Sequence, residues 1–264
     1  MASPVPASVP VLVTGASSGI GAEFARRFAQ RGHDVTVVAR RLDRLDELAK
    51  ESTAAGSGTM TALAADLETP EGRAKVSSLL TSNGPWVLVN NAGFGTRGRA
   101  ADLDAGRERA EVQLNVVALQ ELTLAALPAL AKAGDGGVIN VASTAAFQPL
   151  PYMATYGATK AFVLHFTEGL AEEMRGTGVR VMALCPGPTQ SEFGEVAGVN
   201  DYMQMMRGGM SAAKCVNIAL NAFDRRHAIC ITGRPNALLA LGPRFAPRAL
   251  TRRISGAIFY PRNG

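Results

Sequence analysis

Cysteine is scarce in this sequence, and the three cysteines present are poorly placed to bond in pairs. Cys185, Cys215 and Cys230 are odd in number, lie far apart and include no C-x-x-C spacing. This pattern argues against a disulfide framework and against a zinc site. We therefore predict no metal site and expect a reducing compartment, the cytoplasm.

Two features of exported and membrane-spanning proteins are also missing. The opening MASPVPASVP has no basic residue and leads into an apolar run too short for a signal peptide. The longest apolar stretch, LNVVALQELTLAALPALAKAG, is interrupted by Gln120 and Glu121. It predicts a buried amphipathic helix and not a membrane span.

Acidic residues are absent from 225–264, a segment that holds eight arginines. Its hydrophobic residues recur at helical spacing, which predicts a basic amphipathic helix. Two interpretations stay open: the helix caps a pocket or packs on a partner subunit, or it touches an anionic membrane surface. Nucleic-acid binding is not expected, because no recognised binding motif accompanies the arginines. The residues of this pattern are Leu250, Ile254 and Ile258, with Arg248, Arg252 and Arg253 between them.

The body of the chain alternates short β-branched runs with helix-like segments. With 264 residues, 47% hydrophobic and 19% charged, it predicts one globular domain spanning 1–264. Strands that are apolar throughout indicate a parallel sheet covered on both faces. The fold class is therefore α/β, a Rossmann-type doubly wound parallel sheet in a three-layer α/β/α sandwich. The seven predicted strands lie within 9–15, 34–40, 59–66, 86–93, 137–143, 180–187 and 227–233.

A glycine-rich turn, TGASSGIG at 14–21, follows the first predicted strand. Ligands of such sheets bind at the carboxyl ends of the strands. Gly15, Gly19 and Gly21 permit a tight turn and let a pyrophosphate approach the N-terminus of the next helix. Their spacing is G-x-x-x-G-x-G, and close strand-to-helix packing is the structural alternative.

A second pattern is YGATK, which places Tyr156 four residues before Lys160. On a helix this spacing puts both side chains on one face. Reduction of a ketone creates an alkoxide-like oxygen that a neighbouring proton donor must neutralise. An ammonium about 4 Å from the phenol contributes about 4 kcal/mol, which predicts a tyrosine pKa lowered by roughly three units.

Taken together, these motifs resemble the short-chain dehydrogenase/reductase family over about 9–233. The resemblance rests on TGASSGIG, NNAG at 90–93, Ser143 thirteen residues before Tyr156, Lys160, and PGP at 186–188. It implies that Tyr156 is the general acid/base, that Lys160 also holds the nicotinamide ribose, and that Ser143 orients the substrate oxygen. It further implies that Asn115 supports a proton relay.

Each catalytic assignment has a structural alternative. Ser143 could form a turn, and Asn115 could be a buried polar group satisfied by backbone carbonyls. Tyr152 could compete for the acid role, although it lacks a lysine four residues on. A regulatory NADP-binding protein that retains the catalytic pair is the alternative function.

Cofactor preference depends on the end of the second predicted strand, where Arg40 and Arg41 stand in place of an acidic residue. Guanidinium groups suit a 2′-phosphate, so NADP(H) is predicted, with solvated surface arginines as the alternative. Asp34 precedes the strand and does not favour NAD. The resemblance adds Asp66 and Leu67 at the adenine; Asn91, Ala92 and Gly93 at the adenosine ribose; Pro186, Gly187, Thr189 and Ser191 at the nicotinamide; and Gly15, Ser17, Ser18, Gly19, Ile20 and Gly21 around the phosphates.

The resemblance also implies a variable lid at about 191–214, ahead of an extension at 234–264 beyond the family core. Methionines in the lid predict an adaptable apolar pocket, unless they only fill packing gaps. A small-molecule carbonyl or alcohol substrate of hydrophobic character follows, and the family resemblance implies a homodimer or homotetramer. The candidate pocket residues are Met203, Met205, Met206 and Met210, with Phe147 and Met153 near the catalytic group.

Overall fold

A seven-stranded parallel sheet forms the centre of the protein. The computed structural model describes residues 4–55, 58–82, 84–205 and 209–261. The strand order is β3-β2-β1-β4-β5-β6-β7, so the chain winds outward in both directions from β1 and β4. The fold class is confirmed, and each strand lies inside its predicted segment. The strands are β1 Val11–Thr14, β2 Val35–Ala39, β3 Met60–Ala64, β4 Val87–Asn90, β5 Gly137–Val141, β6 Arg180–Cys185 and β7 Ile229–Ile231.

Helices cover both faces of this sheet. The principal helices are α1 Gly19–Gln30, α2 Leu42–Ala54, α3 Pro70–Ser82, α4 Ala105–Val112, α5 Leu119–Ala133 and α6 Ala154–Glu173. Those that follow are α7 Phe193–Val196, α8 Asn200–Met205, α9 Ala212–Asp224, α10 Arg234–Phe245 and α11 Arg248–Phe259. A π-helical segment, Gln113–Ala118, joins α4 to α5, and a 3-10 helix, Thr144–Phe147, precedes α6.

The core alternates between the two faces along each strand. In β1, Val11 and Val13 pack into the cluster that holds Phe24 and Phe28 of α1. Leu12 packs into the opposite cluster, with α3 and α5. Because successive side chains point to opposite faces, a strand buried on both faces must be apolar at every position.

The long helical run 105–133 is apolar and long enough to cross a membrane, judged by length and composition alone. It begins at Asp104, whose side chain accepts a hydrogen bond from the Arg107 N–H, and it ends at Gly134, which has a left-handed φ of 68°. In α5, Leu122 and Leu130 are fully buried in the core cluster. The run therefore packs one face on the sheet, as the sequence predicts.

Candidate active site

One cavity of about 800 Å³ lies along the carboxyl ends of the strands. Almost all of the predicted site residues line it, and the exceptions are Gly21 and Asn115. Segments separated by more than 150 residues in sequence therefore converge on one cavity. The predicted residues that line it are Gly15, Ser17, Ser18, Gly19, Ile20, Arg40, Arg41, Asp66, Leu67, Asn91, Ala92, Gly93, Ser143, Tyr156, Lys160, Pro186, Gly187, Thr189 and Ser191.

The glycine turn is held in place by the segment after β4. Gly15 and Gly19 both adopt left-handed backbone, with φ of 64° and 56°, which glycine tolerates without strain. The Asn91 side-chain amide donates to the Thr14 and Gly15 carbonyls at 3.0 and 3.1 Å. The TGASSGIG and NNAG motifs thus build one structure, and the N-terminus of α1 opens on the cavity.

Gly21 acts through packing, because a Cβ at this position would lie 2.3 Å from the Gly15 carbonyl oxygen and 2.5 Å from Asn91 Nδ2. We expect Gly21→Ala to lower the free energy of unfolding by about 1–3 kcal/mol, as overpacking of a filled site does. Urea denaturation measures the change.

Gly169→Ala is the matched control. Gly169 is exposed within α6, and an added Cβ there would meet nothing within 4 Å. This change should raise stability by about 0.5–1 kcal/mol, since alanine restricts the unfolded chain. Equal effects at the two glycines would contradict the packing role of Gly21.

The predicted catalytic group is buried at the inner end of the cavity. Tyr156 and Lys160 are 8% and 6% exposed, and they lie one turn apart on α6. Ser143 follows β5 and caps the 3-10 helix, its hydroxyl accepting a hydrogen bond from the Ala145 N–H at 3.1 Å. Ser143 therefore fills the turn-forming role as well as facing Tyr156 in the cavity. The Lys160 ammonium donates to the Val141 carbonyl at 2.8 Å.

The predicted lowering of the Tyr156 pKa is wrong for this arrangement. Burial raises the pKa of Tyr156 to about 12, although a hydrogen bond with Ser143 acts in the opposite direction. Lys160 Nζ lies 5.8 Å from the centre of the Tyr156 ring. Burial also lowers the pKa of Lys160 to about 8, so its charge is itself weakened near neutral pH.

Asn115 lies in the π-helical segment and is fully buried. Its side-chain amide donates to the Phe94 carbonyl at 2.8 Å and to Thr159 Oγ1 at 3.2 Å, and its oxygen accepts from the Phe94 N–H at 3.1 Å. These bonds use both amide protons. The side chain thus fixes the loop after β4, and its proposed part in a proton relay stays a prediction.

Tyr152 does not belong to this group. It does not line the main cavity, and its ring packs edge-on against Tyr260 at 5.3 Å between centroids. Its φ of 66° is left-handed, an unusual conformation for tyrosine. Its place outside the main cavity leaves Tyr156 as the tyrosine that faces Ser143.

The arginines after β2 line the cavity, and each contacts a carboxylate. Arg40 pairs with Glu68 at 2.9 Å. Arg41 Nη2 donates to Ser17 Oγ at 2.9 Å and to Glu192 Oε2 at 2.7 Å, so it connects the glycine turn to the lid. Hydrogen bonding from Arg41 lowers the pKa of Glu192. Arg41 thus already binds one anionic oxygen group, which is the chemistry a 2′-phosphate requires.

The other half of the cavity is largely apolar. Leu150 and Met153 line it near Tyr156, as do Phe193, Val196 and Val199 of the lid region. Met153 therefore lies on the cavity wall, as predicted. Phe147 does not line the cavity and packs in a separate cluster. Met210 packs on Gly233, where a Cβ added to the glycine would lie 3.2 Å from the Met210 methyl group. Met206 and the side chains of Met203 and Met205 lie outside the described part of the chain.

Helices α10 and α11 form an outer wall of the cavity. The sequence left this role open as one of two interpretations of the basic extension. Leu239, Ile254, Ile258 and Phe259 line it, and Asn236 packs against Gly187. Leu250 is 49% exposed and does not line the cavity. The structure therefore supports the pocket-capping interpretation of the basic extension.

A doubly wound sheet with a glycine turn, and Ser143 beside the buried Tyr156 and Lys160 at its carboxyl edge, together define an oxidoreductase of the dinucleotide-binding class. A family model for short chain dehydrogenases matches residues 10–200. This chain belongs to the short-chain dehydrogenase family.

Several known proteins are similar to this chain. A short-chain dehydrogenase from Sphingobium yanoikuyae, solved with NADPH, is 36% identical with a TM-score of 0.82, covering 97% of each chain. The bulky-bulky ketone specific alcohol dehydrogenase from Comamonas testosteroni is 31% identical with a TM-score of 0.78, covering 98% of this chain and 97% of that one. A short chain dehydrogenase of Pseudocercospora fijiensis is 39% identical over 69% of this chain, and the match spans 60% of that protein.

Proposed function

We propose that this protein is an NADP(H)-dependent oxidoreductase that interconverts a carbonyl and a secondary alcohol. The observation that carries the proposal is the burial of Tyr156 and Lys160 beside Ser143 in the cavity that the glycine turn lines. A buried phenol and ammonium at the carboxyl edge of the sheet fit proton transfer to a substrate oxygen better than they fit stability. The test is NADPH-dependent formation of an alcohol from a bulky apolar ketone by the wild-type protein.

Tyr156 donates the proton in this mechanism. With a pKa of about 12 its phenol is protonated throughout the neutral range, which favours carbonyl reduction over alcohol oxidation near pH 7. Ser143 orients the substrate oxygen toward the phenol. The bound nicotinamide would supply the hydride, and Lys160 would hold its ribose.

The preference for NADP(H) is supported by the contacts of Arg41. Its guanidinium donates to both the Ser17 hydroxyl and the Glu192 carboxylate, and Arg44 lies 3.7 Å from the same carboxylate. The solved Sphingobium relative contains NADPH. These contacts favour an anion-binding role for Arg41 over that of a solvated surface residue.

We further propose that the substrate is a bulky, apolar ketone. The wall opposite the nucleotide site includes aliphatic and aromatic side chains, among them Leu150, Phe193 and Phe259. The Comamonas relative is named for bulky ketones. Contact of the basic C-terminal helix, α11, with an anionic membrane stays a prediction; the preceding helix, α10, exposes Leu238, Leu241 and Phe245. Homo-oligomer formation and a cytoplasmic location likewise remain part of the proposal.

The apolar wall predicts an effect of Ile254→Ser on substrate use. Removing this side chain should lower kcat/KM for a bulky apolar ketone about tenfold, because a few buried methylene groups contribute roughly 1–3 kcal/mol to discrimination. Leu250→Ser, one turn earlier on α11 and outside the cavity, is the matched control and should leave kcat/KM unchanged. Steady-state kinetics would contradict the assignment if both variants behaved alike.

A further inference from the structure

A carboxyl group that the proposed mechanism does not use lies beneath the catalytic pair. Glu111 of α4 is fully buried, and its Oε1 has no hydrogen-bond partner in the described part of the chain. It stands one helical turn before Asn115, which with Lys160 flanks Gly93: a Cβ there would lie 2.7 Å from Asn115 Oδ1 and 3.5 Å from Lys160 Nζ. An ionised carboxylate in such a place is costly, so a functional reason is expected.

Glu111 is joined to a second carboxyl group by one threonine. Thr96 Oγ1 lies 2.9 Å from Glu111 Oε2 and also contacts Glu108. Glu108 accepts a further hydrogen bond from the Thr155 hydroxyl. A hydroxyl has a single proton, so Thr96 donates to one carboxyl and accepts from the other. Glu108 is then the ionised carboxylate, which accepts from the hydroxyls of Thr96 and Thr155. Glu111 is the protonated carboxyl, which donates to the Thr96 oxygen.

The titratable groups around Glu111 agree with that assignment. Burial, assisted by repulsion from Glu108, raises the pKa of Glu111 to about 7, while hydrogen bonding from Thr96 and the charge of Lys160 on α6 act in the opposite direction. Burial is the larger influence on the pKa values of both Lys160 and Tyr156, and the charge of Glu111 when ionised acts to raise both. The three groups are therefore electrostatically coupled, and Glu111 exchanges its proton in the neutral range.

Glu108 provides the exit to the surface. Together with Gly98 and Leu103, it lines a second cavity of about 230 Å³. Thr96 stands between Glu108 and Glu111 in the hydrogen-bond chain, so Glu108 is the member that reaches this cavity. A sequence of proton carriers therefore runs from this outer cavity through Glu108 and Thr96 to Glu111. Each reduction consumes one proton from Tyr156, and this buried phenol needs such a source.

We infer that Glu111 is a relay residue that returns a proton to the Tyr156 and Lys160 pair after each reduction. This inference rests on the proposed function. The Tyr156 O–H bond breaks as the substrate oxygen takes the proton, and the phenolate regains one from the Lys160 ammonium. The resulting amine takes one from the Glu111 carboxyl through a bridging water, because no hydrogen bond joins the two side chains in the described part of the chain. Glu111 is then reprotonated through the Thr96 hydroxyl from Glu108, which takes a proton from solvent in the outer cavity. Glu111 acts through Lys160 and touches neither substrate nor cofactor.

The kinetic test compares two variants that interrupt the chain, Glu111→Gln and Thr96→Val, with two exposed controls on α2, Glu51→Gln and Thr53→Val. We expect kcat for reduction to fall about tenfold in the first pair, and the wild-type pH dependence near pH 7 to disappear in Glu111→Gln. The Kd for NADPH should stay unchanged, since neither side chain lines the main cavity. An unchanged kcat and pH profile in both relay variants would overturn the inference.

A second readout needs no turnover. A carboxyl whose pKa rises from 4.5 to about 7 on folding stabilises the protein fully below pH 4.5, and this contribution is lost as the pH rises through 7. The free energy of unfolding should therefore decline less steeply over this range in Glu111→Gln than in wild type. If the free energy of unfolding depended on pH equally in both proteins, the inference that Glu111 is protonated in the folded state would be overturned. The wild-type protein and Glu111→Gln could also differ in this pH dependence while the wild type reduces no ketone. That result would contradict the proposed function but would still support a protonated Glu111.

Discussion

Replacement of Tyr156 by phenylalanine is expected to lower kcat for ketone reduction by about a hundredfold to ten-thousandfold, the range that a positioned proton donor contributes. The ring would be retained, so the packing of this buried residue against Phe193 and Met153 should survive. The Kd for NADPH should change little. Steady-state kinetics together with a cofactor titration separate the two quantities.

Tyr152→Phe is the control for this experiment. Tyr152 belongs to the same short segment, yet it lies outside the main cavity and packs on Tyr260. Its variant should retain the wild-type kcat. Loss of activity in Tyr152→Phe with activity kept in Tyr156→Phe would reverse the assignment of the proton donor.

The second large effect is expected at the anion site after β2. Arg41→Ala should weaken NADPH binding by about tenfold to a hundredfold, because a hydrogen bond to a charged group is worth about 1.5–3 kcal/mol. NADH carries no 2′-phosphate, so its Kd should be nearly unaffected. The nucleotide's own fluorescence is the suitable signal, since Trp86 precedes β4 at the opposite edge of the sheet.

Glu192→Gln should have the opposite effect on the same equilibrium. The Glu192 carboxylate occupies a hydrogen-bonding position of Arg41, and a phosphate must displace it. Its removal should tighten NADPH binding severalfold without a matching change for NADH. Arg26→Ala, which removes an exposed pair with Glu51, is the control and should leave both affinities unchanged. NADPH and NADH affinities that respond equally to all three variants would contradict the anion site.

Much of the fold was predictable because a parallel sheet covered on both faces leaves a plain pattern. Every residue of β1 and β4 is buried, so the strands appear in the sequence as apolar runs. The catalytic and glycine motifs follow these runs directly. Their position at the carboxyl edge then follows from the topology, and the structure brings them to one cavity.

What the sequence could not predict depends on contacts between distant segments and on burial. The ion pair of Arg41 with Glu192 joins residues 151 positions apart. The raised pKa of Tyr156 results from desolvation, which the spacing of Tyr156 and Lys160 alone does not reveal. Glu111 had one available signal, an acidic residue four positions before Asn115 and just ahead of the stretch predicted to be a buried helix. That signal was not recognised, because its burial depends on packing against the loop that holds Thr96.

The most direct test of the central claim is to supply wild-type protein with NADPH and a panel of bulky apolar ketones, measuring NADPH consumed and alcohol formed. The proposed function predicts equal amounts of alcohol and oxidised cofactor, with turnover lost in Tyr156→Phe. Saturable NADPH binding without reduction of any ketone in the panel would contradict it and would favour the regulatory cofactor-binding protein.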